Sequence, residues 1–282
     1  MSDTVQHSRL PRNFHKTFKP ERQYINAMLR FAASGRAGDY QLIAAATGIP
    51  TGASTGKVPA ILDYCRGMGL IRQTGEERSA VKKLELTPFG RVVLLEDPYL
   101  KVSVSQWIAH LNLCSPLTGA DVWYQTFFPG TQALGMSFER AKLESHLGLV
   151  YGIEKAGLIG PLIGMYEDDA AFRVCGVLSE SSDRVVRKPA PIVDDFGFAY
   201  GAWLLQLMSD HMPEAGQVPT TDLDARAGWR TIPGWDIGSH QRVLEMVERK
   251  GLLEVDRHMD PWLLRPKVAA EATWKRIYDN LL

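Results

Sequence analysis

Two phrases constrain this chain more than any other feature. Residues 61–71 read ILDYCRGMGLI and residues 243–253 read VLEMVERKGLL. Each is an apolar-periodic helix that stops on a glycine, Gly69 or Gly251, and runs straight into an apolar stretch that reads as a strand. Leu62 falls over Leu244, Asp63 over Glu245, and Gly69-Leu70 over Gly251-Leu252. A helix repeated together with its stop signal and its strand predicts two copies of one small unit. A fainter echo, VYGIEKAGLI at residues 150–159, lies between them.

The letters around the first phrase supply the rest of the unit. Tyr24, Ile25, Met28, Leu29 and Phe31 place an apolar stripe on a helix over residues 21–33. Asp39 caps a short second helix, and residues 47–56 form a turn. The third helix ends at Met68, and Pro59 falls near its first turn, where a missing N–H does little harm. Residues 70–74 and 81–86 read as two strands around the polar tip GEERSA, with Lys82, Leu84 and Leu86 on one side and Lys83 and Glu85 on the other. Thr87-Pro88 opens another helix. This is the order of a winged helix-turn-helix.

The end of the chain repeats that order. It shows a helix over 196–211, a turn-rich stretch over 213–238, a helix over 239–250, strands near 252–255 and 262–264, and a closing helix over 268–281. The expected fold is mainly α with small β wings, an α+β chain of two winged helix-turn-helix-like units joined by a helical middle region. The organisation that follows is a basic N-terminal arm over 1–20, a winged-helix domain with a helical extension over 21–130, and a C-terminal helical domain over 131–282. The second unit occupies about 196–282. The main boundary falls near 129–136 (PGTQALGM), with a further break in the Ser/Asp/Pro-rich segment 179–191.

Composition narrows the function classes. Hydrophobic residues make up 45% of the 282 and charged residues 23%, as in ordinary packed proteins. No apolar run reaches the roughly 20 residues of a membrane span. The first residues are polar and basic, with no secretory core, so a cytoplasmic protein without membrane contact is expected. Three cysteines without a CxxC pair argue against a disulfide framework or zinc knuckle. Cys65 and Cys114 sit among apolar neighbours and read as small buried hydrophobes. The zero net charge hides an asymmetry: residues 1–110 carry 15 Lys and Arg against 9 Asp and Glu, and the remainder carries 17 against 23. A basic front favours a polyanionic partner.

GASTGK at residues 52–57 falls one residue short of a phosphate-binding loop, and Val58 follows it where Ser or Thr is needed. A hydrolase elbow would need a strand before GASTG, where a helix is expected. The segment reads better as the opening of a recognition helix. Ser54, Thr55 and Lys57 there present hydroxyls and an ammonium beside free helix N–H groups. Arg72, Arg78, Lys82 and Lys83 lie on the wing, where cations meet phosphates. None of the seven histidines pairs with another His or a Cys at ligand spacing. Acidic runs at residues 167–169 and 194–195 read as solvated loops before metal sites. Trp107, Trp123, Tyr124, Phe127 and Phe128 read as core.

Three phrases together resemble a known family. FHKTFKPER at 14–22, TGIPTGASTGKVPAILDYCRGMGLI at 47–71 and LTPFGRVVLLEDPYLKVSVSQWIAHLNL at 86–113 are similar to the SspB-like family, bacterial proteins encoded beside DNA phosphorothioation genes. The matching positions are His15, Thr17, Phe18 and Arg22, then Gly56 and Lys57, then Asp97, Pro98, Tyr99, Trp107 and His110. The match covers about the first 130 residues and is loose beyond. Lys16 stands where an acidic residue is expected, and Lys101 and Val102 replace acidic residues after Leu100.

The resemblance implies a DNA-binding, DNA-nicking component of a phosphorothioate-modification and phage-defence system. Its partners would be double-stranded DNA and the sulfur-transfer proteins. Strand cleavage needs an activated nucleophile or a divalent metal, Mg2+ or Mn2+. His15 as acid/base, Arg22 as phosphate clamp and Asp97 as metal or orienting carboxylate are the candidate helpers. Two other readings stay open: a non-catalytic regulator or scaffold that recruits sulfur-transfer enzymes to DNA, and a protein-interaction module that never touches DNA.

Overall fold

The computed structural model describes residues 8–52, 56–76, 78–152 and 158–281. The chain is a mixed α/β protein in which small antiparallel sheets punctuate a helical body. In order, the elements begin with α1 (Arg22–Ala33), β1 (Ala37–Gly38), α2 (Tyr40–Thr47), α3 (Lys57–Gly67), β2 (Ile71–Thr74), β3 (Lys82–Leu86), α4 (Pro88–Glu96) and α5 (Ser103–Leu113). The middle holds α6 (Asp121–Phe127), α7 (Gly130–Leu134), β4 (Ser137–Glu139), α8 (Arg140–Tyr151), α9 (Ile159–Glu167), β5 (Leu178–Ser181) and β6 (Arg184–Arg187). The remainder holds α10 (Gly197–His211), β7 (Val218–Pro219), α11 (Thr220–Ala227), α12 (Ile237–Arg249), β8 (Leu253–Asp256), β9 (Leu263–Pro266) and α13 (Ala270–Trp274).

One chain order recurs three times: helix, short strand, helix, helix, two strands. Each sheet is antiparallel and carries its three strands in the order first, third, second: β1-β3-β2, β4-β6-β5 and β7-β9-β8. The sequence suggested two such units and, through the echo at 150–159, pointed to a third; the middle region holds one with the same wiring. The repeated glycine explains the shared turn. Gly69, Gly176 and Gly251 all take positive φ, at 69°, 57° and 74°, and each stands two residues before the second strand of its sheet. A left-handed residue there redirects the chain into the strand, and glycine adopts it without a Cβ clash.

Local capping follows the letters. Asp39, Thr87 and Asp236 each accept a hydrogen bond from the backbone N–H three residues on, at the starts of α2, α4 and α12. Segment 179–191, expected as a break, is mostly the β5–β6 hairpin. Ser182 and Asp183 form its two-residue turn, both at positive φ. Helix α11 lies inside the stretch expected to be turns, and α13 is shorter than the expected closing helix.

One continuous apolar core joins the three units. Helix α5 runs through it, buried at every residue from Val104 to Leu111. Helix α13 packs on both α10 and α4, with Trp274 against Phe89 at 5.1 Å between ring centroids. Arg187, buried at the end of β6, donates to the Thr131 hydroxyl and the Thr231 carbonyl, each at 2.8 Å, and so ties the second sheet to the α11–α12 connection. Cys65, Cys114 and Cys175 are buried and unbridged. Trp107, Trp123 and Phe127 belong to the core, as their helical spacing suggested. No helix among the described residues is long and apolar enough to cross a membrane.

Candidate nucleic-acid interface

From Leu10 on, the N-terminal segment packs against the body, where the sequence suggested a basic arm. Leu10 and Phe14 bury into the core, and burying two such side chains stabilises by about 3–6 kcal/mol. The Leu10 N–H donates to the Gly119 carbonyl at 2.8 Å. Arg9 pairs with Asp121 at 2.8 Å and lies 4.0 Å over the Tyr124 ring. Lys19 pairs with Asp168, whose carboxyl that hydrogen bond holds below the usual carboxylate range, helped by the Ala170 N–H.

This packing changes the role of Lys57. Its ammonium meets the Glu21 carboxylate at 2.6 Å and lies 4.6 Å from the Tyr24 ring centroid. Both partners of the ion pair are mostly covered, so Lys57 fastens α3 to the start of α1. No residue of α3 is exposed. Ser54 and Thr55, expected beside Lys57 at a recognition-helix start, lie outside the described residues.

The wing residues divide by strand alternation. Lys82 faces inward and is buried, its ammonium 5.9 Å from the Tyr40 ring. Lys83 and Arg78 are exposed, and Arg72 is paired across the sheet with Glu85 at 2.9 Å. Lys83, Arg72 and Glu85 line an open groove of about 330 Å³ whose other walls are Leu84, Leu86, the end of α1 (Ala32, Ala33, Gly35) and Arg91 of α4. Of the sequence-selected cations, Arg72 and Lys83 thus come together. Arg91 was missed, because a lone arginine inside a helix start carries no signal of what stands across from it.

The residues selected as catalytic helpers do not converge. Among the described residues, no hydrogen bond or ion pair joins His15, Arg22 and Asp97 to one another. His15 is buried between Phe14 and Trp123. Burial pushes its pKa down to about 4, so the ring is neutral near pH 7. Its Nδ1 accepts from the Thr17 N–H at 3.2 Å, and its buried Nε2 has no partner. Arg22 donates to the carbonyls of Tyr99 and Asp169. Asp97 is buried and saturated: it accepts from the N–H of Lys101 at 2.7 Å, the N–H of Val102 at 3.0 Å and the Ser105 hydroxyl at 2.6 Å. Those three bonds organise the start of α5, a structural duty for a carboxylate.

His110 is likewise internal. The Trp123 N–H donates to the Tyr166 hydroxyl at 3.0 Å, and that hydroxyl shares a 2.7 Å hydrogen bond with His110 Nδ1. Burial holds His110 well below the usual histidine range, with the nearby Arg187 charge adding to it. The acidic runs are engaged as well: Asp169 pairs with Arg173, and Asp194 pairs with Lys250 and Arg249. Among the described residues, no three His, Cys, Asp or Glu side chains gather where they could hold a metal ion.

With this architecture in hand, the likenesses to other proteins are specific. No protein-family model and no curated protein sequence matches the chain. Two solved structures do. A magnesium ion-bound SspB crystal structure superposes with a TM-score of 0.68 over 95% of this chain and 88% of that one, at 17% identity. A second SspB crystal structure gives 0.66 over 99% and 91%, again at 17% identity. The fold is SspB-like. The likeness extends well past the first 130 residues, where the sequence phrases had carried it.

Proposed function

We propose that the protein is a DNA-binding component of a bacterial DNA phosphorothioate-modification and phage-defence system, built on three winged-helix units. The SspB-like fold carries this reading, because it spans nearly the whole chain. The phrases at 14–22, 47–71 and 86–113 point the same way. The first-third-second strand order behind two successive helices, three times over, supports the winged-helix assignment. The exposed cations Arg72, Arg78 and Lys83 supply phosphate contacts, and proteins of the sulfur-modification machinery are the expected partners in the cytoplasm.

The role assigned is engagement of DNA, with the chemistry of strand cleavage left to partners. A sealed, neutral His15 and an Asp97 saturated by the N–H groups of Lys101 and Val102 and the Ser105 hydroxyl favour this adaptor form over a nickase. One of the SspB structures is magnesium-bound. Among the described residues of this chain, no three His, Cys, Asp or Glu side chains gather at one place.

Two measurements on the full chain test the proposal. A duplex DNA gel shift should weaken steeply between about 50 and 200 mM salt; three phosphate-bound cations alone imply a loss of ~40-fold. Absence of any shift at low salt would retire the DNA-binding reading. Supercoiled plasmid incubated with Mg2+, Mn2+ or EDTA should stay supercoiled; metal-dependent open-circle product would restore the nickase.

A further inference from the structure

The geometry points to the groove between the end of α1, the outer face of β3 and the start of α4 as a seat for the phosphodiester backbone of duplex DNA. The inference deepens the DNA-binding reading and rests on it. Three cations rim the groove: Arg72 on β2, Lys83 on β3 and Arg91 on α4. One carboxylate, Glu85, faces them, and it is held by Arg72 across the strand pair. Lys83 and Arg91 have no carboxylate partner among the described residues. Arg30, in the last turn of α1, and Arg36, just before β1, are exposed nearby in the chain and also lack one. Ala37 pairs with Lys83 in the sheet, which brings the Arg36 backbone to the same rim.

The chemistry of the lining selects the backbone of a nucleic acid over its bases. The groove holds point charges and no aromatic ring on which a base could stack. It offers no Asn or Gln to read an adenine edge, and its Arg and Lys side chains suit phosphate oxygens. Ala32, Ala33 and Gly35 line it with little or no side chain, which leaves room for a phosphate beside the cations. At about 330 Å³ it lies at the bottom of the ligand-pocket range of roughly 300–1,000 Å³, and it is open to solvent, as a seat for a polyanion must be.

Glu85 gives the inference a sign that a merely structural role would not. In the free protein its charge neutralises Arg72 and repels a phosphate. Removing cations and removing this carboxylate must therefore act in opposite directions. The test uses the full-length protein and a labelled 30-base-pair duplex (about three helical turns), with dissociation constants measured across a salt series. The Lys83→Ala/Arg91→Ala variant should bind ~10-fold more weakly near 100 mM salt, with a salt slope shallower by about 2. The Glu85→Gln variant should bind about threefold more tightly, because Arg72 is released to the phosphates. These side chains are exposed or half-buried, so both variants should melt with the wild type.

If wild-type protein binds the duplex and both variants match it in affinity and slope, the groove assignment is overturned while the DNA-binding reading stands. If wild-type protein does not bind, both fall. Millimolar inorganic pyrophosphate at constant ionic strength separates a free phosphate ligand from the backbone. Displacement of the duplex by pyrophosphate from wild type, and not from the double variant, would reassign the groove to a small phosphate compound and overturn the proposal. Failure to displace supports it.

Discussion

Replacing Asp97 separates a structural carboxylate from a catalytic one. Asp97 is buried and accepts three hydrogen bonds, two from the backbone N–H groups that lead into α5 and one from Ser105. Ser105 also keeps a 2.7 Å bond with the Tyr278 hydroxyl, and Lys101 is exposed enough for water to reach its N–H. Asp97→Ala therefore strands chiefly the Val102 donor and loses the charge-assisted bonds, at about 3 kcal/mol. Asp97→Asn keeps one oxygen, which can serve Val102 and Ser105, and turns an amide toward Lys101, at about 1 kcal/mol. For a chain of this size these losses lower Tm by roughly 6–12 °C and 2–4 °C respectively. Thermal unfolding followed by far-UV circular dichroism checks them, with duplex affinity measured well below the transition. Both variants should bind DNA as wild type does. An Asp97→Ala protein that melts within about 1 °C of wild type yet loses its action on DNA would refute the structural role.

Other perturbations follow from the same geometry. A Cβ placed on Gly90 would stand 1.8 Å from the Leu70 carbonyl oxygen, so Gly90→Ala should destabilise by about 3 kcal/mol, read as a fall in Tm of roughly 6–12 °C. Lys57→Ala breaks a mostly covered ion pair and should lower stability by about 2 kcal/mol while leaving duplex affinity unchanged. A selective loss of DNA binding in that variant would return Lys57 to the interface. Burial of His15 makes stability pH-dependent. Its pKa falls from 6.5 to about 4 on folding, so the unfolded chain binds more protons in between. Stability is therefore whole above about 6.5 and declines as pH falls toward 4, by up to about 3 kcal/mol from this group. His110, buried and shifted the same way, adds to the decline. Denaturant midpoints between these pH values should drop for wild type and drop less for His15→Gln.

The legible parts of the fold were those whose signals are local. The stripe on α1, the Thr87 cap, and the helix–glycine–strand phrases around Gly69 and Gly251 needed only neighbours in the chain. The middle unit showed only as an echo because its version of the phrase is interrupted. Helix α9 ends at Glu167, irregular chain follows, and the redirecting glycine is Gly176, well past the echo at 150–159. Residues 153–157 of that echo lie outside the described residues. The β5–β6 hairpin hid behind Ser182 and Asp183, letters that mark a tight turn as readily as a break. The site was harder for a different reason. Whether Lys57 is available to a ligand depends on Glu21, 36 residues before it in the chain, which holds its ammonium.

The three units share a wiring and differ in what their third helix, the one before the hairpin, presents. In α3 no residue is exposed, and in α9 only Gly160 and Glu167 are. Helix α12 keeps an open side: Ile237, Gly238, Arg242, Glu245 and Arg249 are exposed, opposite the buried row of Val243, Leu244, Met246 and Val247. A helix-turn-helix order in the letters therefore does not identify a DNA-reading helix, because packing three units around one core consumes the face that such a helix needs. In the first unit that face is covered by the chain's own start. What remains accessible there is the outer face of the sheet and its groove, where Lys83 and Arg91 are exposed without carboxylate partners among the described residues. On the DNA-binding reading proposed above, the cations of the first unit would therefore meet phosphates through the groove, because α3, with no exposed residue, is part of the core.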